Sequence, residues 1–462
     1  MLWPSGAKWF SKLRHVTPAI SALTCTSLMC LLQAAVTLKP AQLPLIGRKP
    51  FIAAWNVPFD MCASKHNVSA NLELFHIQGS PRGIRRGQDV TIFYANRLGL
   101  YPFYTDEGAP INGGLPQNCS LESHLRKAHG DIDHYIPSED FRGLAVIDWE
   151  YWRPQWSRNW HKKNIYRRKS RELVRRGHTN ATAVQVEELA RSWFEDSAAA
   201  FMRETLQLGT RTRPRGLWGF YLYPDCHNYN LHVHNYTGSC PLLERVRNDE
   251  LQWLWDSSTA LFPAVAIRRS HANSLSNLYF SRCRVLESLR IAALSSLDYE
   301  LPTFVYLRLG YKDEAMTFLT TVRTSMADCF TTSEAVTENL HMLGHYVTNV
   351  TRAAELCSHH LCRSNGRCAR REPRAPHYLH LSADAHRIEA LGGGTFSVIG
   401  RHSRRELRLL AERFRCRCYQ GYGGDRCDGL ETPKQKENSA PGSRNCVTLA
   451  LLLLLVPVPF NG

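Results

Sequence analysis

Short runs of apolar, β-branched and aromatic residues recur along the first three quarters of the chain, from about Phe51 to Thr351. They are "PFIAAW", "DVTIFY", "GLAVIDW", "GLWGFYLY", "ALFPAVAI" and "PTFVYLRL". Each is apolar throughout rather than alternating, as a strand covered on both faces requires. Between them lie longer stretches with helical spacing of apolar positions, such as "AVQVEELARSWFEDSAAAFMRETLQLG" and "CRVLESLRIAALSSL". Repeated βα units over this length predict a parallel sheet, open or closed into a barrel.

From Cys357 the pattern changes. "CSHHLCRSNGRC" and, after an insertion, "CRCYQGYGGDRC" are rich in Cys and Gly and poor in apolar residues. This is the spacing of an EGF-like module, which disulfides hold because it is too small for a real core. A zinc site is the weaker reading of such cysteines in a secreted chain. Residues 373–411 are basic, and "RHSRRELRLLAERF" has helical spacing, as a solvated connector or a packed helix would.

Both ends are apolar. Lys8, Lys12 and Arg14 precede "AISALTCTSLMCLLQAAV", and polar, Pro-rich chain follows. This predicts a secretory signal peptide over 1–35, cleaved near Ala34 or Ala35, with a retained signal anchor as the alternative. At the other end "VTLALLLLLVPVPF" lies behind the polar stretch "ETPKQKENSAPGSRNC" and has no basic cluster after it. Small residues, a polar spacer and a short greasy tail form a GPI-anchor signal. A stalk and attachment region is expected over 431–446 and the tail over 447–462. Asn438 is the preferred attachment residue, Gly442 and Ser443 are runners-up, and a transmembrane tail is the alternative. The chain is therefore expected on the extracellular face of the plasma membrane, or else secreted or lysosomal.

Asn67, Asn118, Asn180, Asn235 and Asn349 head N-x-Ser/Thr sites, as on a glycosylated ectodomain. Fifteen cysteines fit the same oxidising compartment. Cys25, Cys30 and Cys446 fall in the end segments, which leaves twelve for the mature chain. Of 462 residues 44% are hydrophobic, enough for a sizeable core. Lys and Arg total 57 against 41 Asp and Glu, a formal charge of +16. Such a surface favours a polyanionic partner: nucleic acid, anionic membrane or acidic polysaccharide. A secreted, glycosylated chain excludes nucleic acid.

The stretch "GLAVIDWEYWRPQW" carries the chemistry. In a strand, positions i and i+2 share a face, so Asp148 and Glu150 project together at the C-terminal edge of the sheet. Two acids this close resist double ionisation, and one retains its proton to higher pH. A protonated carboxyl beside indoles can serve as general acid toward a glycosidic oxygen. Trp149, Trp152, Trp156 and Trp160 suit apolar packing or the flat faces of sugar rings. The competing structural reading pairs the acids with Arg153 and Arg158.

These residues resemble a known family. "GLAVIDWEYWRPQWSRNW" is similar to the signature of the animal hyaluronidases, glycoside hydrolase family 56. "LWGFYLYPDCHNYN", "DVTIFYANRLGLYPFY", "GGLPQN" and the Cys357–Cys427 pattern resemble the same family in order. The tail looks most like that of the membrane-anchored members. The resemblance implies a distorted (β/α) TIM-like barrel over 36–350, then an EGF-like domain with a basic insertion over 351–430. It implies substrate-assisted hydrolysis of hyaluronan, or of a related acidic glycosaminoglycan such as chondroitin, with no cofactor and no metal. Glu150 would protonate the leaving oxygen and then activate water. Asp148 would hold the substrate's acetamide nitrogen, and Tyr221 would hydrogen-bond the acetamide. Tyr94 and Tyr306 would line the groove, with Trp152 as a further sugar contact. Asp225 and Arg213 would lie near the site or its supports. Glu287 and Arg290 match a charged helical pair of structural type. The family's disulfides map to Cys62–Cys329, Cys226–Cys240, Cys357–Cys368, Cys362–Cys416 and Cys418–Cys427. Cys119 and Cys283 are left as free thiols or an extra pair.

The chain departs from the family after "FVYLRLGYKDEAMTFLT". A Gly-Glu-Ser helix and an apolar strand ending in tryptophan are expected there. No Gly-Glu-Ser occurs, and no tryptophan follows Trp255. Phe280 stands where some members have a groove tyrosine. The barrel is thus expected to lack its last helix–strand unit, leaving two parallel edges unpaired. Two classes of function follow: an endo-β-N-acetylhexosaminidase, or a catalytically inactive cell-surface protein that binds glycosaminoglycan on the same scaffold.

Overall fold

The computed structural model describes residues 39–57, 72–80, 86–308, 310–314, 329–392 and 395–430, with the helix backbone alone over 329–342. The presumed signal, the attachment region with Asn438 and the apolar tail lie outside the described residues. So do Asn67 and Cys62, and with Cys62 the expected Cys62–Cys329 bond. Among the described residues no helix is long and apolar enough to cross a membrane.

Two short strands come first, β1 (Ala54–Asn56) and β2 (Ile77–Gly79), paired with each other. Strand β3 (Val90–Tyr94) leads to a hairpin of β4 (Phe103–Tyr104) and β5 (Pro110–Ile111) and then to helix α1 (Leu121–Tyr135). After β6 (Leu144–Asp148) come α2 (Asn164–Gly177) and the long α3 (Ala183–Thr212). Strand β7 (Leu217–Phe220), helices α4 (Leu242–Asp249) and α5 (Gln252–Ser257), β8 (Ala264–Val265), α6 (Leu275–Leu294) and β9 (Tyr306–Leu307) follow.

The β3, β6 and β7 strands form a parallel sheet in that order, and β8 pairs in parallel with β9. Parallel bridges Tyr221↔Phe262 and Leu261↔Thr303 continue the series between them. Parallel strands covered on both faces explain why "LAVI" in β6 and "LWGF" in β7 are wholly buried. Gly219 permits one of these approaches: a Cβ there would meet the Ala260 carbonyl oxygen at 2.3 Å.

Helix starts follow local chemistry. The Ser120 and Ser274 hydroxyls cap α1 and α6, and Thr182 with Gln185 forms a reciprocal capping box on α3. The core between α1, α3 and the sheet holds Phe93, Ile132, Ile147, Trp149, Phe194, Phe201 and Trp218. A neutral histidine is built into it. His124 Nδ1 accepts from Leu100 N–H at 2.9 Å, and Nε2 lies 2.9 Å from the Thr205 hydroxyl. Burial pushes its pKa down to about 4.

The element that follows β9 among the described residues is α7 (Cys329–Cys362). No further parallel strand follows β9 there, and residues 315–328 lie outside the described residues. The chain divides into two compact units, the second built from segments within 43–54, 71–76 and 337–462. That second unit contains β10 (Gly366–Arg370), the hairpin β11 (His386–Gly392) and β12 (Thr395–Gly400), α8 (Arg404–Arg413), β13 (Phe414–Cys418) and the short pair β14 (Tyr422–Gly423) and β15 (Gly429–Leu430). Strands β10 and β13 pair antiparallel. Cys357–Cys368, Cys362–Cys416 and Cys418–Cys427 are disulfides around a small core of Ala353, Leu356, Leu381, Leu410 and Phe414. With so few apolar groups, the cross-links supply much of the stability by limiting the unfolded chain. The basic insertion holds the β11–β12 hairpin as well as the helix that its spacing suggests.

Candidate active site

The parallel strands end together, and their last residues form the site. Tyr94 closes β3 and Asp148 closes β6, and the two are register partners. Tyr221 directly follows β7, its N–H donating to the Ile147 carbonyl at 2.9 Å. The next residue, Leu222, takes φ of 73°, a left-handed turn uncommon for a branched side chain, and this fixes how the strand end leaves the sheet. Tyr306 lies in β9, its ring 5.0 Å from that of Tyr221 and nearly perpendicular to it.

Asp148 and Glu150 occupy different environments. Asp148 is half-buried, and its Oδ1 is buried without a hydrogen bond. Burial, and then the negative charge of Glu150, push its pKa up to about 7, against a smaller opposing pull from Arg153. The proton expected on one member of the pair therefore resides on Asp148 up to near neutral pH. The Glu150 side chain is 52% exposed, with the Arg153 guanidinium 3.8 Å from Oε1. Its position is set through the backbone: its carbonyl accepts from Arg153 at 3.3 Å and from the Lys163 ammonium. Burial lowers the Lys163 pKa to about 8.

Two tyrosines are tied in place. Burial, and then Glu150, raise the Tyr221 pKa, while the Arg308 guanidinium at its hydroxyl opposes the shift. The Tyr306 hydroxyl accepts from Asn56 Nδ2 at 2.9 Å, and burial raises its pKa as well. Spacing and composition do not single out Asn56, Arg308 or Lys163. A signal exists for Asn56, a polar residue closing the apolar "IAAW" run. Arg308 and Lys163 lie in basic surroundings that mark no single residue.

Several sequence-based expectations require correction. Trp152 is 2% exposed; its ring packs 5.1 Å from that of Tyr101 and its indole N–H donates to the Pro102 carbonyl. It cannot stack on a sugar. Trp149 and Trp156 are likewise buried, and Trp160 is the more open of the four indoles. Arg213 precedes β7 and so sits at the opposite end of the sheet from Asp148. It is buried, donating to the Ile136 carbonyl and to Asp133.

Asp225 is not free to hold substrate. Burial alone would raise its pKa, but Arg284 at 2.8 Å, His227 and Arg158 outweigh that and hold it well below the usual carboxylate range. The alternative pairing of the acids with arginines is realised only weakly at Glu150, while Arg158 pairs with Glu244 at 2.7 Å. Glu287 and Arg290 form an ion pair that also takes in Asn248. Phe280 is buried.

Cys226–Cys240 is a disulfide beside this network. Cys119 and Cys283 are thiols, directed at the Leu100 and Thr237 carbonyls. Asn118, Asn180 and Asn235 are exposed, whereas Asn349 is half-buried with its amide oxygen accepting from Leu381 N–H.

Acidic and tyrosine side chains gathered at the C-terminal ends of parallel strands define a carbohydrate-hydrolase type of site. The sequence model described as hyaluronidase matches residues 40–324 and 320–431. The chain belongs to the hyaluronidase family of glycoside hydrolases. It is 51% identical to human Hyaluronidase-4 over 92% of this chain and 93% of that protein. It is 41% identical to Hyaluronidase-1 of Bitis arietans over 84% of this chain and 92% of that one. Among solved structures, bee venom hyaluronidase in complex with a hyaluronic acid tetramer is 30% identical, with a TM-score of 0.49 over 62% of this chain and 87% of that one. The two family matches overlap at 320–324.

Proposed function

We propose that the site is that of an endo-β-N-acetylhexosaminidase acting on hyaluronan, with chondroitin as a second substrate class, by substrate-assisted retaining catalysis. The reading rests on a distorted (β/α) barrel followed by an EGF-like module. The observation that carries it is the unequal pair: a half-exposed Glu150 beside a half-buried Asp148 whose Oδ1 is buried and unsatisfied. The proton of the pair passes from Asp148 to Glu150 as substrate docks, and Glu150 gives it to the glycosidic oxygen as the bond to the anomeric carbon breaks. The substrate's acetamide carbonyl oxygen forms the new bond to that carbon, so the enzyme needs no nucleophile. Asp148 Oδ1 accepts the acetamide N–H. The Asp148 carboxylate, formed when its proton passes to Glu150, stabilises the positive charge of the cyclised intermediate. The Tyr221 hydroxyl holds the acetamide, and Tyr94 and Tyr306 border the groove. Water then opens the ring and returns a proton to Glu150. The test is hyaluronan depolymerisation by purified protein, with Glu150→Gln as control; hydrolysis retained in that variant overturns the assignment.

A second reading is favoured by the break at 320–324. Without the closing strand and its tryptophan the acetamide pocket lacks a wall, and the chain as written would bind acidic glycosaminoglycan and turn it over poorly. Presentation through a GPI anchor at Asn438 suits either reading. Release from cells by phosphatidylinositol-specific phospholipase C supports the anchor, and retention alongside a released GPI control argues against it.

A further inference from the structure

The second unit carries a cluster unrelated to the carboxylate pair. His386 opens β11, His402 follows β12, and Glu406 stands one turn into α8, whose cap Ser403 lies between them. The hairpin and the helix start bring the three together. His386 Nε2 is 3.0 Å from His402 Nδ1, and His386 Nδ1 is 3.5 Å from Glu406 Oε1. One ligand atom from each residue falls within 4.8 Å of the others. The His386 side chain is 3% exposed and that of Glu406 10%. Glu406 Oε1 accepts from Ser382 N–H at 3.2 Å. Yet His386 Nδ1 and Glu406 Oε2 are buried without a hydrogen bond.

Buried polar atoms without partners are costly and uncommon. Two facing imidazole nitrogens share at most one proton between them. Protonating both rings would set two cations side by side. A metal ion held by His386 Nε2, His402 Nδ1 and Glu406 Oε2 accepts a lone pair from each ring and partners the orphaned carboxylate oxygen, and it leaves the proton on His386 Nδ1 facing Glu406 Oε1 at 3.5 Å. Nitrogen ligands at about 2.0–2.1 Å around a tetrahedral zinc lie roughly 3.3 Å apart, close to the spacing seen here. Imidazole and carboxylate donors select zinc-type ions over magnesium or calcium.

We propose that His386, His402 and Glu406 bind one divalent transition-metal ion of the zinc type, with water at the fourth position. His402 is exposed and marks the solvent side; the His360 ring lies 5.0 Å from it, just outside the ligand set. The metal would tie the β11–β12 hairpin to α8 in a unit held otherwise by three disulfides. This departs from the metal-free expectation drawn from the sequence, where the three residues are spread over an insertion with no ligand spacing. It does not depend on the hydrolase reading.

The test uses the secreted chain, stripped with chelator, reloaded with zinc and gel-filtered. Metal content is read by mass spectrometry, and cobalt substitution is read as visible d–d absorption. Expected are about one zinc per chain, a tetrahedral cobalt spectrum, and a zinc-dependent rise in melting temperature. His402→Ala alters an exposed side chain and should leave folding intact. It should weaken zinc binding by roughly tenfold or more and abolish the cobalt spectrum. Glu406→Gln should do the same. Wild-type protein without zinc above background, or unchanged zinc affinity in folded His402→Ala, overturns the proposal.

Discussion

Asn56 donates a hydrogen bond to the Tyr306 hydroxyl at 2.9 Å. The bond joins the first strand, β1, to β9, and among the described residues β9 is the last of the parallel series and β1 pairs in a ladder only with β2. A side-chain bond thus links two strands that no described ladder joins. It also fixes the hydroxyl of a proposed groove tyrosine. In a double-mutant cycle with Asn56→Ala and Tyr306→Phe, the coupling should be about 1 kcal/mol by urea denaturation. Additive losses would show that the bond contributes nothing to stability.

The proposed roles separate in kinetics. Tyr221→Phe removes one hydrogen bond to the acetamide and should lower kcat/KM by roughly 10–100-fold. Asp148→Asn removes the charge that stabilises the intermediate and should cost roughly 100–1000-fold. Both are measured on the most active form of the chain with defined hyaluronan oligosaccharides. An Asp148→Asn variant within a few-fold of the parent would refute the charge role.

Asp148 also makes stability depend on pH. Its pKa is near 3.8 when unfolded and about 7 in the fold, so the protonated form is favoured by folding. That contribution is fully present below about pH 4 and is lost as pH rises toward 7. Asp148→Asn stays neutral and escapes the loss. It should therefore match the parent at about pH 4 and exceed it by about 2–4 kcal/mol at about pH 8. A constant difference across that range, by urea midpoint, would contradict the buried-proton assignment.

Asp225 should behave as a structural residue. Its carboxylate faces Arg284, Arg158 and His227, and Asp225→Ala leaves the buried Arg284 guanidinium without its carboxylate, while Arg158 keeps Glu244. A loss of about 3–5 kcal/mol is expected, seen as reduced secretion and a lower melting temperature. The fraction that does fold should keep a near-parental KM. A raised KM with unchanged stability would return Asp225 to the substrate groove.

What the sequence reveals depends on range. The wholly apolar runs mark β3, β6 and β7, because a strand covered on both faces leaves no room for polar residues. The spacing of Asp148 and Glu150 sets them at a strand end. Which of them holds the proton is not legible, because it depends on burial by residues far away in the chain. The aromatic-rich stretch after β6 suggests sugar contacts, but the turn directs Trp152 inward onto Tyr101. Arg213 is separated from Asp148 by the length of a strand, a distance that adjacency of motifs conceals. His386, His402 and Glu406 have no ligand spacing and meet only through the β11–β12 hairpin.

The last prediction concerns the break at 320–324. The acids and tyrosines of the site are held by β1, β3, β6, β7 and β9, all upstream of it. A missing strand uncovers several backbone groups at once, each costing about 1–3 kcal/mol if buried unpaired. That total rivals a whole domain's stability of roughly 5–15 kcal/mol. The chain as written should therefore be secreted poorly and show little hydrolysis. Inserting the family's helix–strand segment between Thr320 and Ser325 should restore both, provided that Glu150 is intact. The measurement is hyaluronan depolymerisation at acidic and neutral pH, by written and repaired chains at equal secreted amounts. Equal and robust activity in both would show that the closing strand is dispensable. Absence of activity in a well-secreted repaired chain would instead move the defect into the groove itself, where the buried Phe280 would be the first residue to test.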